Sequence, residues 1–209
     1  MSEISIQLFP LEEKVNVATH VPGVLLGLIG LPILLLKPEI SFEHVLAYIV
    51  YGLSLTILFS ASCLYHFMPA EKNKQLYKKI DHAAIYLFMG GCYTPFVLLN
   101  MQGQLKYPFL FVVWLVVASG ILYKFKSKYK TRGLSVVFYL IFGLMCFMVK
   151  DQLLNNIPGP SFFALALGGV FYIIGILFYI VRRIPYHHGI WHLFVLLGAM
   201  LHFYAVYHT

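Results

Sequence analysis

Charge is scarce in this 209-residue chain: 11% of its residues are charged, and only eight are carboxylates. Against 60% hydrophobic residues and a mean hydropathy of +0.81, that scarcity excludes a soluble domain, which at this length cannot bury so much apolar surface. Cysteine is nearly absent too. Cys63, Cys92 and Cys146 stand apart in apolar runs with no CxxC spacing. They exclude a disulfide-stapled secreted fold and read as small apolar residues within helices. A basic leader is missing: the first fourteen residues set Glu3, Glu12 and Glu13 against Lys14 alone, so no cleavable signal peptide is expected. Also missing are short alternating segments, which excludes a membrane β-barrel, and any linker, repeat or low-complexity tract, which leaves one domain over residues 1–209.

What is present is seven long apolar runs, about Val15–Leu36, Val45–Phe67, Ile80–Leu99, Tyr107–Tyr123, Gly133–Val149, Ser161–Val181 and His188–Tyr207. Each is near the ~20 residues that a membrane-crossing helix requires. Helices satisfy their own backbone in lipid, so the expected fold is all-α, a polytopic seven-helix transmembrane bundle. Between the runs lie polar stretches such as "MPAEKNKQLYKK", "KFKSKYKTR" and "DQLLNNIPGP", read as loops. The +7 formal charge is then a matter of orientation rather than of nucleic-acid binding. Twelve Lys and Arg fall on the side of the N-terminus and three on the other, Lys37, Lys106 and Lys150, so the N-terminus is expected inside and the C-terminus outside.

On that topology six of the nine histidines gather at one depth: His20, His66, His82, His187, His188 and His192. His44 and His208 fall on the outer side as loop residues. Asp81 is the one carboxylate of the eight expected both at that boundary and opening an apolar helix. A charge near hydrocarbon costs ~2.5–3.5 kcal/mol on insertion scales and faces a partner inside the bundle, here a metal ion or its water.

His188 and His192, four residues apart, lie about 40° apart on one helix face, the spacing by which two imidazoles share a zinc. Ser62 and His66 share a face in the same way. A third histidine from another helix, His66, completes three ligands with an open fourth position, which suits zinc (Zn2+) and a catalytic rather than a closed site. Each histidine also has a plainer reading as an interfacial residue or a carbonyl partner, the favoured one for His187 and His82, which are turned about 100° from their neighbours. His202 lies ~15 Å deeper and is expected to bond across helices. Helix 6, with Gly168, Gly169 and Gly175, reads as close packing. Pro95 in "CYTPF" predicts a kink whose freed carbonyl bonds a side chain such as Thr94.

The ordered set "EEKVNVATHVPG", "SCLYHF", "IDHAAIYLFMGGCYTPF", "GGVFYIIGILFYI" and "HHGIWHLFVLLGAMLHF" resembles the haemolysin III family, bacterial relatives of the progestin and adipoQ receptors that include the adiponectin receptors. The resemblance spans about Glu12 to Tyr207, and Glu13, Asn16 and His20 match the family's N-terminal signature. A wider group with alkaline ceramidases shares SxxxH, Asp and HxxxH, which carry over to Ser62, His66, Asp81, His188 and His192. The resemblance implies a zinc held by His66, His188 and His192 in the cytoplasmic leaflet of a bacterial cytoplasmic membrane. It further implies a hydrolase of a lipid amide or ester, with membrane lipid as substrate or ligand. Asp81 would orient or deprotonate a water, Ser62 would orient a ligand or donate to an oxyanion, and His20 and Asn16 would support the ligands from behind. The alternatives are a pore-forming or cytolytic protein, a membrane-homeostasis sensor or receptor-like protein, and a zinc that only clamps helices. The long N-terminal extension of the eukaryotic receptors has no counterpart in the sequence, which favours the bacterial branch.

Overall fold

The computed structural model describes residues 10–69, 73–126 and 132–209. Of the twelve charges expected on the inner side, Lys72, Lys128 and Lys130 lie outside the described residues. The elements are α1 (Leu11–Leu35), α2 (Phe42–Phe67), α3 (Lys74–Asn100), α4 (Lys106–Lys126), α5 (Arg132–Leu144), α6 (Lys150–Asn156), α7 (Gly159–Ile180) and α8 (His187–Tyr207). A five-residue 3-10 stretch, Met145–Val149, joins α5 to α6. Seven segments are long and apolar enough to cross a membrane, α5 and α6 counting together as Gly133–Asn156, and no strand occurs among the described residues. The expected seven-helix bundle is what forms.

The bundle is apolar on its outside as well as in its core, and a smaller set of polar side chains is buried within it. Leu25, Leu28 and Ile29 on α1, Phe111 and Leu115 on α4, and Phe163, Ile173 and Leu177 on α7 are exposed. Asn16, His20, Ser62, His66, Asp81, Thr94 and His192 are buried. Apolar side chains gain nothing from leaving lipid for other apolar side chains, so contact between helices depends on close fit and internal hydrogen bonds. α1 packs between α2 and α8, α7 packs on α8, and α3 touches α2, α4, α5, α6 and α8. Tyr48, Tyr51, Leu55, Phe59, Tyr86 and Phe88 fill the space between α2 and α3 and their neighbours.

Three local outcomes differ from the sequence reading. α3 begins at Lys74, not Ile80, so Asp81 sits two turns inside a helix rather than opening one. The "DQLLNN" of the expected loop is helical, as α6. The physical reason lies in Tyr93, whose hydroxyl donates to the Phe142 carbonyl at 2.7 Å and accepts from the Cys146 amide at 3.0 Å. A side chain inserted into the helical ladder breaks its i→i−4 register, and the chain passes through a 3-10 turn before resuming an α-helix. Thr94 donates to the Gly90 carbonyl at 2.8 Å, one residue before the carbonyl that Pro95 frees.

The two ends of the bundle carry different groups. At one end Lys37 donates to the Tyr207 carbonyl at 2.7 Å, Ser161 to the His208 carbonyl at 3.2 Å, and Asn100 to the Asn156 carbonyl at 3.1 Å. His44, expected in a loop, instead closes a capping box with Ser41 at the start of α2 there. The start of α1, the end of α2, and the starts of α3 and α8 meet at the opposite end, so residues 10 and 209 lie at opposite ends.

Candidate metal centre

Helical spacing brings His188 and His192 onto one face of α8, and the antiparallel return of α2 sets His66 opposite them. The ring centroids lie 5.0 Å apart for His66 and His188, 5.0 Å for His66 and His192, and 4.6 Å for His188 and His192. One nitrogen from each ring falls within 4.8 Å of the others, so these three residues could hold a metal ion. His66 Nε2 and His188 Nε2 stand 3.2 Å apart. Two nitrogens bound tetrahedrally at zinc distances would be about 3.3 Å apart. His66 and His192 are almost wholly buried, and the His192 Nε2 has no hydrogen-bond partner among the described residues. A buried, unpartnered imidazole nitrogen is costly in apolar surroundings and is relieved by ligation. The donor set therefore fits a borderline metal such as zinc.

The opposite ring nitrogens are held from behind. His66 Nδ1 donates to the Glu13 carboxylate at 2.6 Å, since an ionised carboxylate only accepts. Glu13 is itself anchored by Lys74 at 2.9 Å and by the Asn16 amide at 3.3 Å. His192 Nδ1 donates to the Asn16 backbone carbonyl at 3.1 Å and lies 3.3 Å from the Thr19 hydroxyl. Both rings thus carry their proton on Nδ1 and turn a bare Nε2 inward, the arrangement in which a second layer of groups fixes tautomer and orientation. α1 supplies Glu13, Asn16 and Thr19, and α3 supplies Lys74. α1 comes close enough because residue 189 is glycine: a Cβ there would stand 2.9 Å from Val15 Cγ1 and 3.4 Å from Asn16 Oδ1.

His20 stands behind His192 through ring contact rather than through a hydrogen bond. Its ring stacks on His192, with centroids 3.6 Å apart and planes at 19°, and meets Phe59 edge-on at 4.8 Å. It makes no hydrogen bond among the described residues. It is a packing plate behind His192, whereas Asn16 supports the ligands by hydrogen bonds. Asp81 is buried and faces His66, with the Ser62 hydroxyl beside its carboxyl and no fully formed hydrogen bond between them. His187 turns away, its Nδ1 3.0 Å from the Phe178 carbonyl. His202 is far from the cluster. It packs on Gly168 and edge-on to Tyr172 across α7 and α8, with the Leu165 backbone near but no bond of full geometry, so the expected cross-helix bond is replaced by contact.

Glu13 is the group that sequence spacing did not single out as a partner of the histidines. The signal available was its place in "EEKVNVATH", three residues before Asn16 and seven before His20, which puts all three on one helical stripe. A part-open cavity of about 560 Å³ reaches the cluster from this end of the bundle, with His66, His188 and Asp81 in its wall.

Residues 10–203 match the family model described as haemolysin-III related. The chain is 36% identical over 197 residues to "Hemolysin-3 homolog" of Bacillus subtilis (strain 168), covering 93% of this chain and 92% of that protein. It is 34% identical over 200 residues to "Hemolysin-3" of Bacillus cereus, covering 95% and 91%. It is also 30% identical over 202 residues to the human "Monocyte to macrophage differentiation factor", covering 94% and 83%. The seven spans, the residues gathered at one end and the match over nearly the whole chain lead to one statement: this multi-pass membrane protein belongs to the haemolysin-III related family.

Proposed function

We propose that this protein is a zinc-dependent hydrolase of a lipid amide or ester, acting from the cytoplasmic leaflet of a bacterial cytoplasmic membrane. The observation that carries this reading is a three-imidazole cluster with a buried carboxylate and a hydroxyl beside it, reached by an open cavity. Zinc held by His66, His188 and His192 would polarise a carbonyl and make water nucleophilic at neutral pH. Glu13 and the Asn16 carbonyl keep the Nδ1 protons of His66 and His192 in place, so that both Nε2 lone pairs stay available. The Asp81 carboxylate accepts a proton from the attacking water and returns it to the departing amine or alkoxide. The Ser62 hydroxyl, beside the Asp81 carboxyl, donates to the oxygen that gains charge. The lysine bias supports an orientation with this end inside.

A second reading comes from the relatives named as haemolysins: a lytic or sensing protein in which zinc clamps α2 to α8. A conducting path needs polar side chains at several depths, and the packed Tyr51, Leu55, Phe59, Tyr86 and Phe88 favour the hydrolase instead. The test is purified protein of measured zinc content, incubated with a panel of acyl amides and esters, with and without chelator. Release of fatty acid that the chelator stops is expected. Fully loaded protein that cleaves nothing in the panel, yet gives single-channel conductance in bilayers, would replace the first reading with the second.

A further inference from the structure

Tyr51 on α2, Cys92 on α3, Tyr172 on α7 and His202 on α8 bring four polar side chains together in the middle of the bundle. Tyr51 precedes Ser62 by eleven residues, and Cys92 follows Asp81 by eleven, so each lies about three turns from the metal centre on the same face of its helix. His202 lies ten residues beyond His192, ~15 Å deeper.

Two glycines seat the rings. A Cβ on Gly168 of α7 would come within 2.5 Å of His202 Cδ2, and one on Gly198 of α8 within 2.6 Å of Tyr172 Cε1. The two rings meet edge-on, with centroids 5.2 Å apart. Tyr51 is fully enclosed, with the rings of Phe88 and Phe203 beside it at 6.2 and 6.5 Å. The hydroxyls of Tyr51 and Tyr172 are near enough to act on one another, and both on the Cys92 sulfur. Yet neither hydroxyl, and neither ring nitrogen of His202, has a hydrogen-bond partner among the described residues.

Polar groups left dry in hydrocarbon are strongly disfavoured. Polar atoms that are neighbours but stand beyond bonding distance are joined by a bridging molecule. The walls define what that molecule is. No Lys, Arg, Asp or Glu stands within residues 44–67, 82–100, 159–180 or 187–207, so no charged side chain of these helices balances an ion at this depth. The bridging molecule is therefore neutral. It must both donate and accept, and it must be small enough to sit among packed rings. Water meets all three conditions, and a buried water makes about three hydrogen bonds to groups otherwise unsatisfied.

We propose that the middle of the bundle binds a water molecule that bridges the Tyr51 hydroxyl, the Tyr172 hydroxyl and a ring nitrogen of His202. It fastens α2 to α7 and α8 through the interior, well below the histidine cluster. The site holds whether or not that cluster cleaves a lipid.

Crystals of the purified protein grown in a lipidic mesophase, diffracting well enough to show ordered water, test it directly. Density within hydrogen-bonding distance of both hydroxyls and of His202 is expected. No such density, or two hydroxyls bonded directly to each other, overturns the proposal. Tyr51→Phe, Tyr172→Phe and the double variant give a second readout, the thermal unfolding midpoint in maltoside micelles. Each single change should lower the midpoint by about 2–4 °C, the equivalent of one hydrogen bond. The double change should cost less than the sum, because either single change already breaks the bridge. Unbridged hydroxyls predict the reverse: removing an unpaired buried group leaves the midpoint unchanged or raises it, and the two effects add. That result overturns the proposal as well. If a variant does not fold, the density in the wild type decides.

Discussion

Glu13 on α1 and His66 on α2 are joined by a 2.6 Å hydrogen bond, although 53 residues separate them. The bond couples the start of the first span to the end of the second, and it sets which nitrogen of His66 faces the other two imidazoles. Glu13→Ala should therefore lower metal affinity about 10–100-fold, the usual effect of removing a group that orients a metal-binding histidine. Glu13→Gln, whose amide oxygen can still accept the hydrogen bond, should recover part of the loss. Competition with a chromogenic zinc chelator measures both. Equal affinity in wild type and Glu13→Ala would show that the bond is only packing.

Asp81 and the three histidines separate two kinds of defect. Asp81→Asn should keep full zinc content and lose about 10²–10⁴-fold in turnover, the range for a missing general base. His192→Ala should lose the metal itself. Metal analysis beside fatty-acid release distinguishes the two. A zinc that merely clamps helices predicts instead an Asp81→Asn protein with every activity unchanged.

Gly27 on α1 meets α2 backbone. A Cβ there would collide with Thr56 Oγ1 and lie 3.0 Å from both the Thr56 Cα and its amide nitrogen. The hydroxyl can rotate, but the backbone cannot step aside without moving α1 from α2. Gly27→Ala should destabilise the bundle by about 1–3 kcal/mol, as overpacking does. Because α1 carries Glu13 and Asn16, the same change should also weaken zinc binding. Unfolding in graded detergent mixtures, with metal content followed in parallel, reads both effects, and an unchanged unfolding midpoint counts against a close α1–α2 contact.

Orientation is checked with single cysteines. Lys14 and Lys150 are exposed and belong to the two different sides of the charge count. In intact cells a membrane-impermeant thiol reagent should label Lys150→Cys and spare Lys14→Cys, and opening the cells should make both reactive. Labelling of Lys14→Cys in intact cells would reverse the proposed topology.

Much of this protein was legible along the chain, for reasons that differ from part to part. The seven spans follow from hydropathy, which is summed locally and needs no knowledge of neighbours. His188 and His192 follow from helical periodicity, and His66 and Asp81 from their depth. α5 did not follow, because its break is made by a hydroxyl from another helix: Tyr93 reaches Phe142 and Cys146 from some fifty residues away. The roles of His20 and His202 did not follow either. A histidine's pattern position is the same whether it bonds, stacks on His192 or packs against Gly168.

By itself, then, the sequence determined how many times the chain crosses a membrane and which polar residues share a depth, because both depend on spacing within single helices. Only the tertiary structure decided which nitrogen each imidazole turns inward and what holds it there. That depends on the rotation and approach of α1 against α2 and α8, set by contacts such as Gly189 with Val15 and Asn16, and no pattern within one helix encodes the distance to another.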